Sequence, residues 1–244
     1  RADGFANYEE ATAGPSSYEM PEEYKAVYVN NSNYDPFAEN DPSDVAPVMG
    51  EDNGLTMKDM YGLDYDDPLW EDMLDQLTVE DMRYMISSGG YQGGAISHIG
   101  KVYTVDVDGP AGLSSFFNGN SGTAFPCATL IACTWNKDLA YERGSQIGQE
   151  ARELGVNGWY GPAMNIHRSA FSGRNFEYYS EDGMLTGYMA AAETKGAQDK
   201  GVYCYIKHFA LNDLEQNREN QICVWSTEQA ARELYLKGLS LIHI

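Results

Sequence analysis

Apolar positions recur with a clear period from residue 67 onward and only sporadically before it. Residues 1–66 are rich in Asn, Asp, Glu, Pro, Ser and Tyr, and Asp41-Pro42-Ser43-Asp44 reads as a turn. They are expected to form an irregular, acidic, extended linker, with the ordered domain over 67–244. Asp67-Pro68 fits a helix start, and Leu69, Trp70, Met73, Leu74 and Leu77 follow at helical spacing. A second short helix should follow Thr78, with Met82, Met85 and Ile86 on one side, until Gly89, Gly90, Gly93 and Gly94 break the pattern. Val102 to Val107 reads as a buried strand ending at Asp108-Gly109-Pro110, and Ala128 to Cys133 is a second apolar run.

Trp135 to Leu154 has helical spacing, with Leu139, Ile147, Ala151 and Leu154 expected inward and Gly155 placed to stop it. Val156 to Ile166 and Val202 to Phe209 read as strands, Met184 to Asp199 as the helix between them. Ser226 is expected to open the last helix, with Gln229 placed for a capping box. Strands separated by helices argue for βαβ units, a parallel sheet and an α/β fold. Polar clusters follow the strands at Asp108, at His167 to Glu177 and at Lys207 to Glu215, the edge where α/β folds place their sites. The pattern leaves a barrel and a doubly wound sheet both open, although no G-x-G-x-x-G supports a dinucleotide-binding version.

Composition narrows the partners. Sixteen basic against 37 acidic residues give a net charge of −21, which opposes nucleic-acid binding. No apolar run nears the roughly 20 residues of a membrane span, and no signal peptide is visible. Cys127, Cys133, Cys204 and Cys223 form no C-x-x-C pair and lie at no metal-ligand spacing from a histidine, so free thiols and no metal are expected.

The chemistry sits in two stretches. Gly173-Arg174-Asn175-Phe176-Glu177-Tyr178-Tyr179 puts donors, acceptors and flat apolar faces into one loop, the mixture a sugar requires. Glu177 is equally explained as a partner bracing Arg174. Lys207-His208 closes an apolar strand, where a charge must be paired or face a polar cavity. Asp108 could accept two sugar hydroxyls from the same rim. His167 and Arg168 read chiefly as loop bracing.

Together these motifs resemble glycoside hydrolase family 3. Asp-Gly-Pro-Ala-Gly at 108–112, Gly-Pro-Ala-Met-Asn-Ile-His-Arg at 161–168, Gly-Arg-Asn-Phe-Glu at 173–177 and Lys-His-Phe-Ala-Leu-Asn at 207–212 occur in the family's order, and the resemblance spans about residues 67–238. It implies the first half of an incomplete (β/α)8 TIM-like barrel and a retaining exo-β-glycosidase without cofactor or metal, acting on a β-glucoside or β-xyloside. By motif, Asp108, Arg174, Lys207 and His208 would bind the sugar, with Glu177, His167 and Asn212 in support. Ala210-Leu211-Asn212-Asp213 replaces the Pro-Gly-His-Gly-Asp typical of the N-acetylglucosaminidase subgroup, which favours glucosidase, then xylosidase.

The resemblance also implies that the chain is a fragment. The Asp nucleophile is expected beyond Ile244 and the acid/base Glu on a separate α/β domain, which is expected upstream because Arg1-Ala2-Asp3 and the acidic tract after it resemble the segment joining domains in members of reversed order. The chain alone is therefore expected to be inactive. Leu239 to Ile244 departs from the family pattern, and a cytoplasmic location is expected from the free cysteines and the reversed domain order. A non-catalytic sugar-binding protein derived from the fold is the alternative.

Overall fold

The computed structural model describes residues 40–242 except 118, 221, 223 and 225, with scattered earlier positions that include helix α1 (Glu22–Val27). Cys223 lies outside the described residues. Two compact units divide at Pro47/Val48. The first contains α1, where Lys25 pairs with Glu22 at 2.7 Å. It also contains a turn at Asp41, whose carboxylate accepts from the Ser43 amide at 2.8 Å.

The second unit begins at Val48, not at Asp67. The stretch 48–66 lacks periodicity because backbone and amide hydrogen bonds, not a repeating apolar face, fasten it. The Gly50 amide donates to Leu77 at 3.1 Å, and the Gln76 side chain both donates to and accepts from Leu55. Met60 is buried with Met73, Leu77, Ile96 and Ile99 under α2 (Leu69–Leu74) and α3 (Val79–Ser88). Asp67 accepts from the Leu69 amide at the start of α2. Thr78 caps α3 with a full capping box through Asp81. Ile86, expected inward, is exposed.

The sheet runs β1 (Gln92–Gly93), β2 (Thr104–Asp108), β3 (Gly158–Tyr160), β4 (Tyr203–Cys204) in that order. β1 is antiparallel to β2, and β2, β3 and β4 are mutually parallel. The strands are shorter than the apolar runs suggest. Pairing nonetheless continues as single bonds, Tyr205 N to Trp159 O at 2.8 Å and an Ala163–Lys207 bridge, which bring Lys207 to the end of the sheet.

The apolar run at α4 (Ala128–Cys133) is helical. The long helices α5 (Lys137–Glu153) and α6 (Gly183–Gln198) complete the connections. They touch backbone to backbone. A Cβ on Gly144 would lie 1.9 Å from the Glu193 carbonyl oxygen, and one on Gly196 would lie 2.2 Å from that of Tyr141. This close approach corrects the inward face of α5. Ala140, Gly144, Ile147, Gly148 and Ala151 are buried, whereas Leu139 and Leu154 are exposed. Gly155 stops the helix at φ +72°.

Val107, Leu113, Ile147, Ala151, Val156, Trp159, Ala197 and Val202 form the core between sheet and helices. Thr227, not Ser226, caps α7 (Glu228–Ala230), accepting from the Ala230 amide at 3.2 Å. One π turn (Ala231–Tyr235) then leads into α8 (Lys237–Ile242), which packs on α6. No helix among the described residues is long and apolar enough to cross a membrane.

Candidate functional site

Beyond the ends of β2 and β4 lies a cavity of about 450 Å3, lined in part by Asp108, Arg174, Glu177 and Lys207. A site of this size can hold a small ligand. Asp108 is the last residue of β2, and the chain must turn sharply after it. Gly109 does so at φ +117°, where a Cβ would stand 1.9 Å from the Gly112 carbonyl oxygen. The Trp159 indole N–H donates to the Gly109 carbonyl at 2.9 Å from beneath, so the turn rests on a buried ring.

Lys207 and Asp108 meet at 2.6 Å between Nζ and Oδ1, and Lys207 also reaches Glu177 Oε1 at 3.3 Å. Arg174 grips Glu177 with two parallel bonds, Nε to Oε2 at 2.6 Å and Nη2 to Oε1 at 2.8 Å. Its other Nη lies 3.7 Å from Glu215, which Arg218 also holds at 2.7 Å. Burial opposes the charge of Glu177, but the Arg174 bonds and the nearby Lys207 overcome it and hold the carboxyl below its ordinary value. The bracing role of Glu177 and its place in the cavity are thus compatible.

The 3-10 turn Asn175–Glu177 that carries this loop is itself anchored. Thr129 of α4 places its hydroxyl 2.8 Å from the Tyr178 carbonyl and 3.0 Å from that of Asn175. His167 Nε2 lies 3.0 Å from the same Tyr178 carbonyl, which can only accept, so the ring nitrogen donates. This is the bracing expected of His167.

His208 follows Lys207 through a cis peptide. Its Nδ1 lies 2.8 Å from the Tyr178 hydroxyl, which the Asn212 amide also meets at 2.6 Å. Burial first, then the positive Arg174 and Lys207, push His208 down to about 4, so the ring is neutral at neutral pH. The seven residues singled out from sequence therefore form one connected region. Asp108, Arg174, Glu177 and Lys207 share the cavity wall, while His208, Asn212 and His167 join it through Tyr178.

Three contributors were not found from sequence. Tyr178 lies inside a recognised motif but is aromatic, and only its full burial reveals its hydroxyl as a hub. Arg143 and Glu193 form a buried ion pair at 2.9 Å between α5 and α6. Arg143 also donates to the Pro110 carbonyl, two residues past Asp108, and the Tyr179 hydroxyl donates to Glu193. Charged positions on helices ordinarily face solvent, so no pattern in the sequence distinguishes these two. Among the described residues, no group of three or more metal-binding side chains is present.

Comparison with known proteins places this geometry. The profile described as Glycosyl hydrolase family 3 N terminal domain matches residues 91–239. Beta-glucosidase A of Butyrivibrio fibrisolvens is 42% identical over 182 residues, covering 70% of this chain and 22% of the relative. A beta-glucosidase of Ruminococcus albus is 47% identical over 134 residues, 55% of this chain and 14% of the relative. Among solved structures, beta-glucosidase 3B from Thermotoga neapolitana in complex with α-D-glucose superposes with a TM-score of 0.63 at 38% identity, over 70% of this chain and 27% of that one. The Paenibacillus barengoltzii beta-glucosidase gives 0.69 at 31% identity, over 81% and 22%. The match to curated beta-glucosidases thus takes in about a fifth of their length. The chain belongs to glycosyl hydrolase family 3 and corresponds to the beta-glucosidase-like N-terminal domain of that family.

Proposed function

We propose that this chain supplies the sugar-gripping wall of a retaining exo-β-glucosidase, with β-xylosides the next substrate class. The observation that carries the reading is the shared cavity of Asp108, Arg174, Glu177 and Lys207 at the strand ends. Asp108 would accept from two ring hydroxyls, Arg174 and Lys207 would donate to others, and His208 would add a donor beside them. The named complexes of similar beta-glucosidases with glucose support that choice of ligand. On this reading β2 to β4, with α5 and α6, are the first units of an incomplete (β/α)8 barrel.

Retention requires a free carboxylate nucleophile and a second carboxyl about 5–5.5 Å away. In the cavity wall Asp108 is tied to Lys207 and Glu177 to Arg174, and neighbouring Glu215 is tied to Arg218. By the family resemblance the nucleophile and the acid/base group would be supplied by other parts of the parent protein, and the chain alone would bind without hydrolysing. The test is glucose titration of the 15N-labelled chain by NMR, beside an assay on an aryl β-glucoside. Saturable shifts that Asp108→Ala abolishes, with no aglycone released, are expected. Hydrolysis by the chain itself, or no saturable shift, would overturn the reading.

A further inference from the structure

Tyr178 is buried, yet its hydroxyl has two polar neighbours whose roles can be assigned. Asn212 Nδ2 contacts both the Tyr178 oxygen at 2.6 Å and Glu215 Oε1 at 2.8 Å. Burial raises the Glu215 carboxyl, but bonds from Arg218 and Asn212 and the charges of Arg174 and Arg218 prevail, so it is ionised and accepts only. The atom of Asn212 facing it must therefore be the amide nitrogen, and that nitrogen also donates to Tyr178. The Asn212 main chain is held separately, its backbone N–H donating to Asn165 Oδ1 at 3.1 Å.

A hydroxyl carries one proton and two lone pairs. With Asn212 occupying a lone pair, the Tyr178 proton points to the remaining neighbour, His208 Nδ1. Were Nδ1 itself protonated, Tyr178 would face two donors and its own proton would have no acceptor among the described residues. An unmet donor in a buried position is strongly disfavoured.

We infer that Glu215, Asn212 and Tyr178 form a directed hydrogen-bond relay that fixes neutral His208 as the Nε2–H tautomer, making Tyr178 a positioning residue for the donor His208 offers to a sugar. The last clause rests on the sugar-binding reading; the tautomer assignment does not. The ring also stands edge-on to Tyr178 at 87°, with centroids 5.9 Å apart, so its orientation is set along with its proton. No protein group among the described residues takes Nε2. The wrong tautomer would present a lone pair where a sugar hydroxyl needs a donor or must turn to serve as one.

The experiment is 15N NMR of the histidine-labelled chain at neutral pH, with the His208 ring signals assigned by their loss in His208→Gln. The wild type should show Nε2 protonated and Nδ1 bare. Tyr178→Phe should bring the two tautomers toward equal population and weaken glucose binding about twofold, because only about half of the molecules then present the Nε2–H donor. Should Tyr178→Phe fail to fold, Asn212→Leu gives the same readout: it removes the donor that fills the Tyr178 lone pair, so a protonated Nδ1 can donate there and the tautomer is no longer fixed. A proton on Nδ1 in the wild type, or an unchanged tautomer in a folded variant, overturns the relay. An altered tautomer with unaltered glucose affinity overturns the positioning role. Failure of glucose to bind the wild type instead overturns the sugar-binding reading, while the tautomer signals still judge the relay.

Discussion

Replacing Arg143 with Met tests whether the helix pair behind the site depends on its buried charges. Side-chain exposure is 3% for Arg143 and 0% for Glu193, so neither charge reaches water. Removing the cation alone leaves a carboxylate with the Tyr179 hydroxyl as its remaining partner and strips the Pro110 carbonyl of its donor. Breaking a buried pair from one side costs about 3–5 kcal/mol. For a unit of this size that lowers Tm by roughly 6–20 °C. Adding Glu193→Gln removes the stranded charge while keeping an acceptor for Tyr179, so the double variant should lose only about 1–3 kcal/mol.

The pH dependence gives a second readout. Burial already holds Glu193 above its ordinary value against the pull of Arg143 and Tyr179. Without Arg143 it rises further. A raised folded pKa contributes stability at low pH that is lost as pH climbs through it, so Arg143→Met should recover stability on acidification and the double variant should not. Urea unfolding across pH, in a two-state regime, measures both effects. Equal stability of the single and double variants, or a cost below about 1 kcal/mol for Arg143→Met, would refute the argument.

Glu177 provides the opposite sign: its folded pKa is lowered, so its contribution is present above the ordinary value of 4.5 and lost as pH falls through the folded pKa. Glu177→Gln should therefore be less stable than wild type at neutral pH and converge with it in acid, as followed by unfolding at stepped pH. Gly196→Ala should cost several kcal/mol, at the upper end of about 1–3 kcal/mol for overpacking or beyond, because the new methyl meets the Tyr141 carbonyl and not a side chain that can move. Thermal unfolding within a degree or two of wild type would show that α5 and α6 separate without penalty.

Residues whose chemistry forces a local conformation were legible in the sequence. Gly155 had to stop its helix, Thr78 had to cap one, and Asp108 before Gly109 had to end a strand. Lys207 and His208 at the end of an apolar run could be met only by partners, and those partners are present. What could not be read depends on the distance between elements. The spacing of α5 admits Leu139 and Leu154 as an inner face as readily as Gly144 and Gly148, and only the contact with α6 selects the small residues. The same contact brings Arg143 to Glu193, fifty positions away. The fastening of 48–66 through Gly50, Leu55 and Gln76 is made largely by main-chain atoms, which every sequence possesses and none advertises.

The pairing of Arg174 with Glu177 and of Lys207 with Asp108 also decides when the cost of immobility is met. A long cationic side chain loses roughly 1.5–2 kcal/mol of rotamer freedom when fixed. Here that loss falls at folding, before any ligand arrives. On the proposed reading a neutral sugar would then enter a frame whose donors and acceptors are already aimed. It needs to order little beyond itself, and a ligand with the same number of hydroxyls in another arrangement finds no mobile arginine or lysine ready to follow it.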